Sequence, residues 1–314
     1  MEAPQSTMLP DGRRLHLHHG PIDLIVEAFG PAPARAGAYR RAAARFRTVL
    51  DELVAELPAL RAPARSAPAL AGPVARRMQR AVAAHLPTFV TPMAAVAGAV
   101  ADEICAAMIT GMTTGAALER AYVNNGGDVA LYLAPGQCID AAIAGGRAVG
   151  RATVRAEDPA RGLATSGWRG RSHSLGIADA VTVIARTAAE ADVAATLIAN
   201  AVDLPGHPAI TRHPACELSP DSDLGARPVT TGVGPLTAAE VAGALDAGAA
   251  TARAMARAGL IGGAALFLGP DTRLTGAFVH TVLGTSLFTS SRIWHAPHAI
   301  QTCMTAWNAV VSNH

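Results

Sequence analysis

Residues 161–203, RGLATSGWRGRSHSLGIADAVTVIARTAAEADVAATLIANAVD, decide how the rest of the chain is read. The opening is rich in glycine and serine and reads as a turn. Ala180–Ala185, AVTVIA, is short and β-branched and reads as a buried strand. Thr187 with Glu190 three residues later is an N-cap pattern, so a helix is predicted from Ala188. On that helix Asp192 and Thr196 stand at i and i+4 and share one face. A carboxylate and a hydroxyl side by side, close to a glycine loop, could hold a hard cation or a phosphate. Equally, Asp192 could support the first turn while Thr196 bonds back to the helix backbone.

Toward the N-terminus, Arg120–Leu133 (RAYVNNGGDVALYL) reads as strand, turn, strand, because Asn125-Gly126 is a strong hairpin dipeptide. Gly127 then lets Asp128 sit tightly in the turn, where bracing that turn is its simplest role. Thr91–Ala107 reads as one helix with Pro92 in its first turn. Gly98 inside it costs roughly 1 kcal/mol against Ala, so close approach of another backbone or of a ligand is expected there. Asp102 follows on the same side. Ala36–Leu57 and Val74–Leu86 read as two further helices, the second stopped by Pro87. Leu15–Phe29 reads as two strands joined at His19-Gly20-Pro21. His16 and His18 then share a face, a spacing that zinc sites use, although no third ligand is apparent. Residues 1–14 are polar and read as a mobile lead-in.

Toward the C-terminus, Leu204–Pro228 is proline-rich and loop-like, and Val229–Val233 reads as a strand. Thr237 with Glu240 caps a helix running to about Ala258, and strands are predicted over Leu260–Leu268 and Thr272–Val279. Residues 284–314 show no clear periodicity and read as an extension of unknown role.

At 314 residues with half of them hydrophobic, the chain can bury a sizeable core. Aromatics are only 4%, so that core must be packed closely from small side chains. Lysine and arginine number 26 against 24 acidic residues, which gives no electrostatic footprint for nucleic acid. Cys105, Cys138, Cys216 and Cys303 are widely spaced, with no CxxC or zinc spacing, and read as reduced thiols. No apolar signal segment opens the chain and no apolar run is long enough to span a bilayer. These features together predict a cytoplasmic protein with a small-molecule ligand and no membrane or nucleic-acid partner. The Ala/Gly-rich helix faces permit close subunit packing, which makes a homodimer the arrangement to test.

Five motifs in order carry a family resemblance: HLHHGPIDLIVEAFG, TPMAAVAGAVAD, VNNGGDVAL, GLATSGWRGRSHSLGIADAVTVIA and ADVAATLIANAVD. Over roughly residues 12–280 the chain resembles the UPF0280 family, a branch of the ApbE-like superfamily of FAD:protein FMN transferases. The resemblance implies an α+β fold, a single ApbE-like domain over residues 15–283 with a mixed β-sheet and packed helices. It implies magnesium and FAD as cofactors. Asp192 and Thr196 would be magnesium ligands, completed by a backbone carbonyl near Val96. The glycine helix with Gly98 and Asp102, the Asn125-Gly126-Gly127-Asp128 turn and the Thr165-Ser166-Gly167 segment would line the flavin site.

The departures from the family pattern are local. ApbE proteins carry a His-His-Ile-Ile-Asp-Pro-type segment where this chain has Trp168–Asp179, WRGRSHSLGIAD, and the lysine usual in the glycine helix is Ala97. They bear on flavin transfer rather than on the pocket, since a shared fold does not carry a shared reaction. In that interval Arg169 and Arg171 can grip a carboxylate or phosphate, and His173 is the best general-base candidate, because an unperturbed imidazole titrates near neutrality. Asp179 is either a second carboxylate in the pocket or a strand-end cap. Ser166 is a nucleophile candidate without the G-x-S-x-G elbow. Three functions remain open: a magnesium-dependent flavin or nucleotide enzyme, including FMN transfer from FAD; a hydrolase or lyase acting on a small carboxylated or cyclic metabolite; and a flavin-binding protein without turnover.

Overall fold

The computed structural model describes residues 3–112, 117–145, 148–276 and 279–280. Its elements run β1 (Gln5–Met8), β2 (Leu15–His19), β3 (Ile22–Phe29), α1 (Ala32–Ala55), the short α2 (Leu57–Leu60), α3 (Pro73–Ala83), a 3-10 turn (Pro92–Ala95), and α4 (Val96–Ile109). There follow β4 (Arg120–Asn125), β5 (Asp128–Leu133), β6 (Cys138–Gly145), β7 (Ala148–Arg155), β8 (Gly162–Ser166), β9 (Ala180–Ala185) and α5 (Ala188–Ala201). The chain continues through β10 (Ile210–Pro214), the short α6 (Ala215–Leu218), β11 (Pro228–Val233), α7 (Ala238–Arg257), β12 (Gly263–Leu268), β13 (Asp271–Gly276) and β14 (Val279–His280).

Nine strands make one sheet in the order β1-β2-β3-β4-β5-β8-β9-β12-β13. The α+β class is as expected. The sheet was expected to be mixed, yet every one of its pairings is antiparallel. Hairpins join β1 to β2, β2 to β3 and β4 to β5, while α1 to α4 are inserted between the paired strands β3 and β4. β6, β7 and β14 form a second sheet, and β10 pairs with β11.

The buried apolar side chains gather in three cores. Leu17 and Leu24 pack with Phe46 of α1 and Ile104 of α4, while Val181 and Val183 pack with Ile198 of α5 and Leu245 of α7. Ile184, the next residue along the strand, points to the other face, where Phe267 and Ile143 meet it. β9 is buried along its whole length, and that is why it reads as an unbroken apolar run.

Several expectations need correction. Residues 5–8 are not a mobile lead-in: β1 pairs with β2 and edges the sheet. The segment read as a Gly/Ser turn opens with β8, which sits between β5 and β9. Gly162 is needed there because a Cβ would lie 2.1 Å from the carbonyl carbon of Thr187. The single helix expected over Thr91–Ala107 is a 3-10 turn followed by α4, a break that matters for the site. β7 and β10 were not foreseen, since neither Ala148–Arg155 nor the proline-flanked Ile210–Pro214 alternates cleanly. The 284–314 extension and the expected domain boundary at 283 lie outside the described residues.

Among the described residues, Pro92–Ile109 is the stretch long and apolar enough to cross a membrane, and half of it is buried inside the fold.

Candidate functional site

The site is assembled where the N-termini of α4 and α5 meet. The 3-10 turn ends just before Val96, so the first N–H groups of α4 have no partner within the helix. Asp192 takes them up: its Oδ2 accepts from the Gly98 N–H at 3.0 Å, and the Ala97 N–H also bonds its carboxylate. The Ala97 carbonyl is held by the Asn125 side-chain amide at 3.0 Å. Gly98 itself answers the question its cost poses. A Cβ there would lie 2.2 Å from the Ala188 carbonyl oxygen, so it is a second backbone, not a ligand, that requires glycine.

Asp102 has a positional role. Its two oxygens accept from the Ala188 and Ala189 N–H groups at 3.0 and 2.9 Å, capping α5 alongside Thr187. Burial nevertheless pushes its carboxyl up to about 6, against the pull of those two bonds.

Asp128 does not brace its own turn, the role its position suggested. Its Oδ1 accepts from the Thr165 N–H on β8 at 3.1 Å, while the turn is closed by the Gly127 N–H donating to Asn124 Oδ1 at 2.9 Å. Burial raises the Asp128 carboxyl to about 7, with Arg171 and the Thr165 bond pulling the other way. Asp192 is held well above the ordinary carboxylate range, first by burial and next by the negative charge of Asp128. The charge of one carboxylate thus acts on the other, Asp128 being held by the β8 backbone and Asp192 by the first N–H groups of α4.

Arg171 is brought to this patch. Its guanidinium lies over Gly126, where a Cβ would sit 2.0 Å from a terminal nitrogen, and its charge acts on Asp128 and Asp23. Gly126, at φ 66°, is required by the turn. Thr165 bonds Thr182 across the β8–β9 pair at 2.8 Å between hydroxyls. Thr182, a polar residue inside AVTVIA, escaped the sequence reading, and its signal was that single hydroxyl in an apolar strand. Thr196 follows Asp192 on α5 and is half-buried, as is Val96 at the break before α4.

Other candidates go elsewhere. Asp179 Oδ1 accepts from Trp168 Nε1 at 3.2 Å and Arg169 Nε at 2.5 Å, and its Oδ2 accepts from the Gly269 N–H at 2.7 Å. It therefore ties the loop to the β12–β13 turn, and Arg169, stacked 4.6 Å from the Trp168 ring centroid, is engaged with it. Gly167 packs under the Asp179 carbonyl. Ser166 ends β8 half-buried. His173 is exposed, and among the described residues no hydrogen bond orients it. His16 Nε2 is 3.0 Å from Asp23 Oδ1, an ion pair when the ring is protonated; among the described residues no cluster of three His, Cys, Asp or Glu side chains is placed to hold a metal, so the zinc reading is not supported.

An antiparallel sheet, with two helices meeting at their N-termini beside Asp128 and Asp192, is the frame of the site. The family model described as "AbpE bacteria" matches residues 6–276, and the chain belongs to that family. It is also similar to a UPF0280 protein of Methanothrix thermoacetophila, 36% identical over 136 residues, covering 42% of this chain and 53% of that one. A UPF0280 protein of Methanopyrus kandleri is 36% identical over 158 residues, covering 49% and 60% respectively. A third, from Methanococcoides burtonii, is 35% identical over 133 residues, covering 41% and 53%. The chain spans between half and three-fifths of the length of these curated relatives.

Proposed function

We propose that the chain is an ApbE-like enzyme whose pocket takes a divalent cation together with a flavin or other nucleotide-type ligand. The observation that carries the reading is the Asp128–Asp192 pair, two acids held above the ordinary carboxylate range by loss of solvent, with Asp192 pushed further by the charge of Asp128. A cation beside Asp192 would relieve that repulsion. The donors are hard oxygens, as magnesium prefers. Asp192 and Thr196 would hold it, with a main-chain carbonyl near Val96. Magnesium bound there would neutralise the charge of phosphate oxygens.

The chain's own residues supply the rest. Arg171, lying exposed over Gly126, offers a guanidinium for an anionic ligand. The Asn125 amide and the Gly98 N–H hold the backbone and Asp192 in place. This arrangement supports ligand binding more strongly than hydrolysis through His173, because a general base must be positioned against its substrate and His173 is exposed. FMN transfer from FAD is the reaction the family suggests.

The test is to incubate the protein with FAD and magnesium, desalt it and record the visible spectrum. Retained flavin absorbance that is lost in Asp192→Asn and in EDTA supports the reading. A protein that stays colourless refutes the flavin form. Release of AMP from the loaded protein with a Thr-containing acceptor separates transfer from binding alone.

A further inference from the structure

A cavity of about 400 Å³ lies toward the C-terminal end of α5, between that helix, α7 and the connection leading into the 3-10 turn. Its volume is that of a small-molecule site. Phe89, Leu197 and Met255 are among its apolar lining, and Asn200, Arg227 and Thr251 are among its polar groups. It is distinct from the acid pair: none of its lining residues is among those described above.

Arg227 is the telling residue. Its guanidinium carbon sits over the Phe89 ring, 3.4 Å from the centroid, so the cation rests on an aromatic face rather than against a counter-ion. Stacking leaves the in-plane N–H groups directed outward, the geometry that binds a carboxylate in bidentate fashion. Among the described residues no carboxylate lies within ion-pair reach of it. Its backbone is fixed on both sides: its N–H donates to the Leu224 carbonyl at 3.2 Å and its carbonyl accepts from Ala215 at 2.9 Å. Asn200 is oriented as well. Its Oδ1 accepts from the Leu175 N–H at 2.9 Å, which turns the amide NH₂ into the group offered to a ligand.

We infer that this cavity binds a planar, ring-containing monocarboxylate. The carboxylate would meet Arg227, with the Asn200 amide as a second donor. The ring would lie among Phe89, Leu197 and Met255, where apolar side chains and a thioether favour a flat apolar body. A cationic ligand is disfavoured by Arg227, and an uncharged one leaves its donors unmatched.

The experiment is fluorine NMR titration of para-fluorobenzoate, with para-fluorobenzamidine as the cationic isostere, both in EDTA so that no metal contributes. The expected result is saturable broadening with the benzoate alone. Arg227→Gln, a substitution of an exposed side chain, should weaken that binding by at least about tenfold. Thr251→Trp, which fills the cavity, should abolish it while leaving the thermal midpoint near wild type. Equal binding of benzoate and benzamidine, unchanged benzoate affinity in Arg227→Gln, or no binding at all in a folded wild type would overturn the inference. Because EDTA is present throughout, these outcomes are independent of whether the cation site at Asp192 exists.

Discussion

Asp128→Asn should make the metal-free protein more stable at alkaline pH and change it little in mild acid. Burial raises the Asp128 carboxyl from 3.8 to about 7, so between those values the folded protein keeps a proton that the unfolded chain releases. The sign follows from linkage: the favourable contribution is complete below about pH 4 and is lost as pH rises through about 7. At about 1.4 kcal/mol per pH unit the ceiling is about 4 kcal/mol. Sharing of one proton with Asp192 lowers what Asp128 alone contributes, and about 2 kcal/mol is a realistic share.

The isosteric amide stands in for the protonated acid. Its oxygen still accepts from the Thr165 N–H, and it carries no charge to repel Asp192. In EDTA, the wild-type midpoint should fall between about pH 5 and pH 8 by roughly 5 °C more than that of the variant, given about 2–4 °C per kcal/mol for a domain of this size. Starting at pH 5 avoids the opposite slope of carboxyls held low by their partners, such as Glu52 beside Arg45 and Glu240, at about 2, at the α7 cap. Scanning calorimetry across that range is the assay. Parallel curves for the two proteins would refute the argument, because they would mean that Asp128 titrates normally in the fold.

Two glycines offer a paired test. Gly98→Ala places a methyl 2.2 Å from the Ala188 carbonyl oxygen and should cost about 3 kcal/mol in urea unfolding, whereas Gly243→Ala, exposed in α7 with nothing within 4 Å, should stabilise by about 1 kcal/mol. Asp102→Ala removes the acceptor of two N–H groups at the start of α5, so hydrogen exchange of Ala188 and Ala189 should accelerate and stability fall by about 2 kcal/mol. Tyr122→Phe takes a 2.9 Å hydrogen bond from the buried Glu27, which also holds Arg13; a loss of about 1–2 kcal/mol is expected, and no loss would show that Arg13 alone satisfies that carboxylate.

The elements that were legible in the sequence are those whose signals are local. The Thr187–Glu190 cap, the AVTVIA strand and the Asn125-Gly126 turn are each specified within a few residues, and each stands where it was expected. What was not legible depends on partners far along the chain. β8 looks like a turn because Gly162 and Gly167 are needed against the backbones at Thr187 and Asp179, not because the chain reverses there. The role of Asp128 is set by Thr165, 37 residues away, and that of Asp179 by Gly269, 90 residues away. Arg169 and Arg171 look equivalent in RGRSH, yet Asp179 engages one while the other lies over Gly126. A carboxylate's chemistry follows from its burial and neighbours, and neither is written in its own segment.

One helix positions both proposed sites, and this constrains how they can influence each other. The N-terminus of α5 is held by Asp102, its first turns fasten α4 through Asp192, and its last turn holds residue 175 through Asn200. From Asp192 to Asn200 the helix rises about 12 Å and turns about 80° beyond two full revolutions, so the two side chains leave it on diverging faces. The sites are therefore neighbours on a common beam rather than parts of one cleft. A change confined to a side chain, such as Asp192→Asn or Arg227→Gln, should affect its own site alone. Gly98→Ala, by contrast, presses on the backbone at Ala188 and must displace α5 itself. It should weaken flavin retention and para-fluorobenzoate binding together, and a Gly98→Ala protein that loses one while keeping the other intact would show that α5 does not move as a rigid unit.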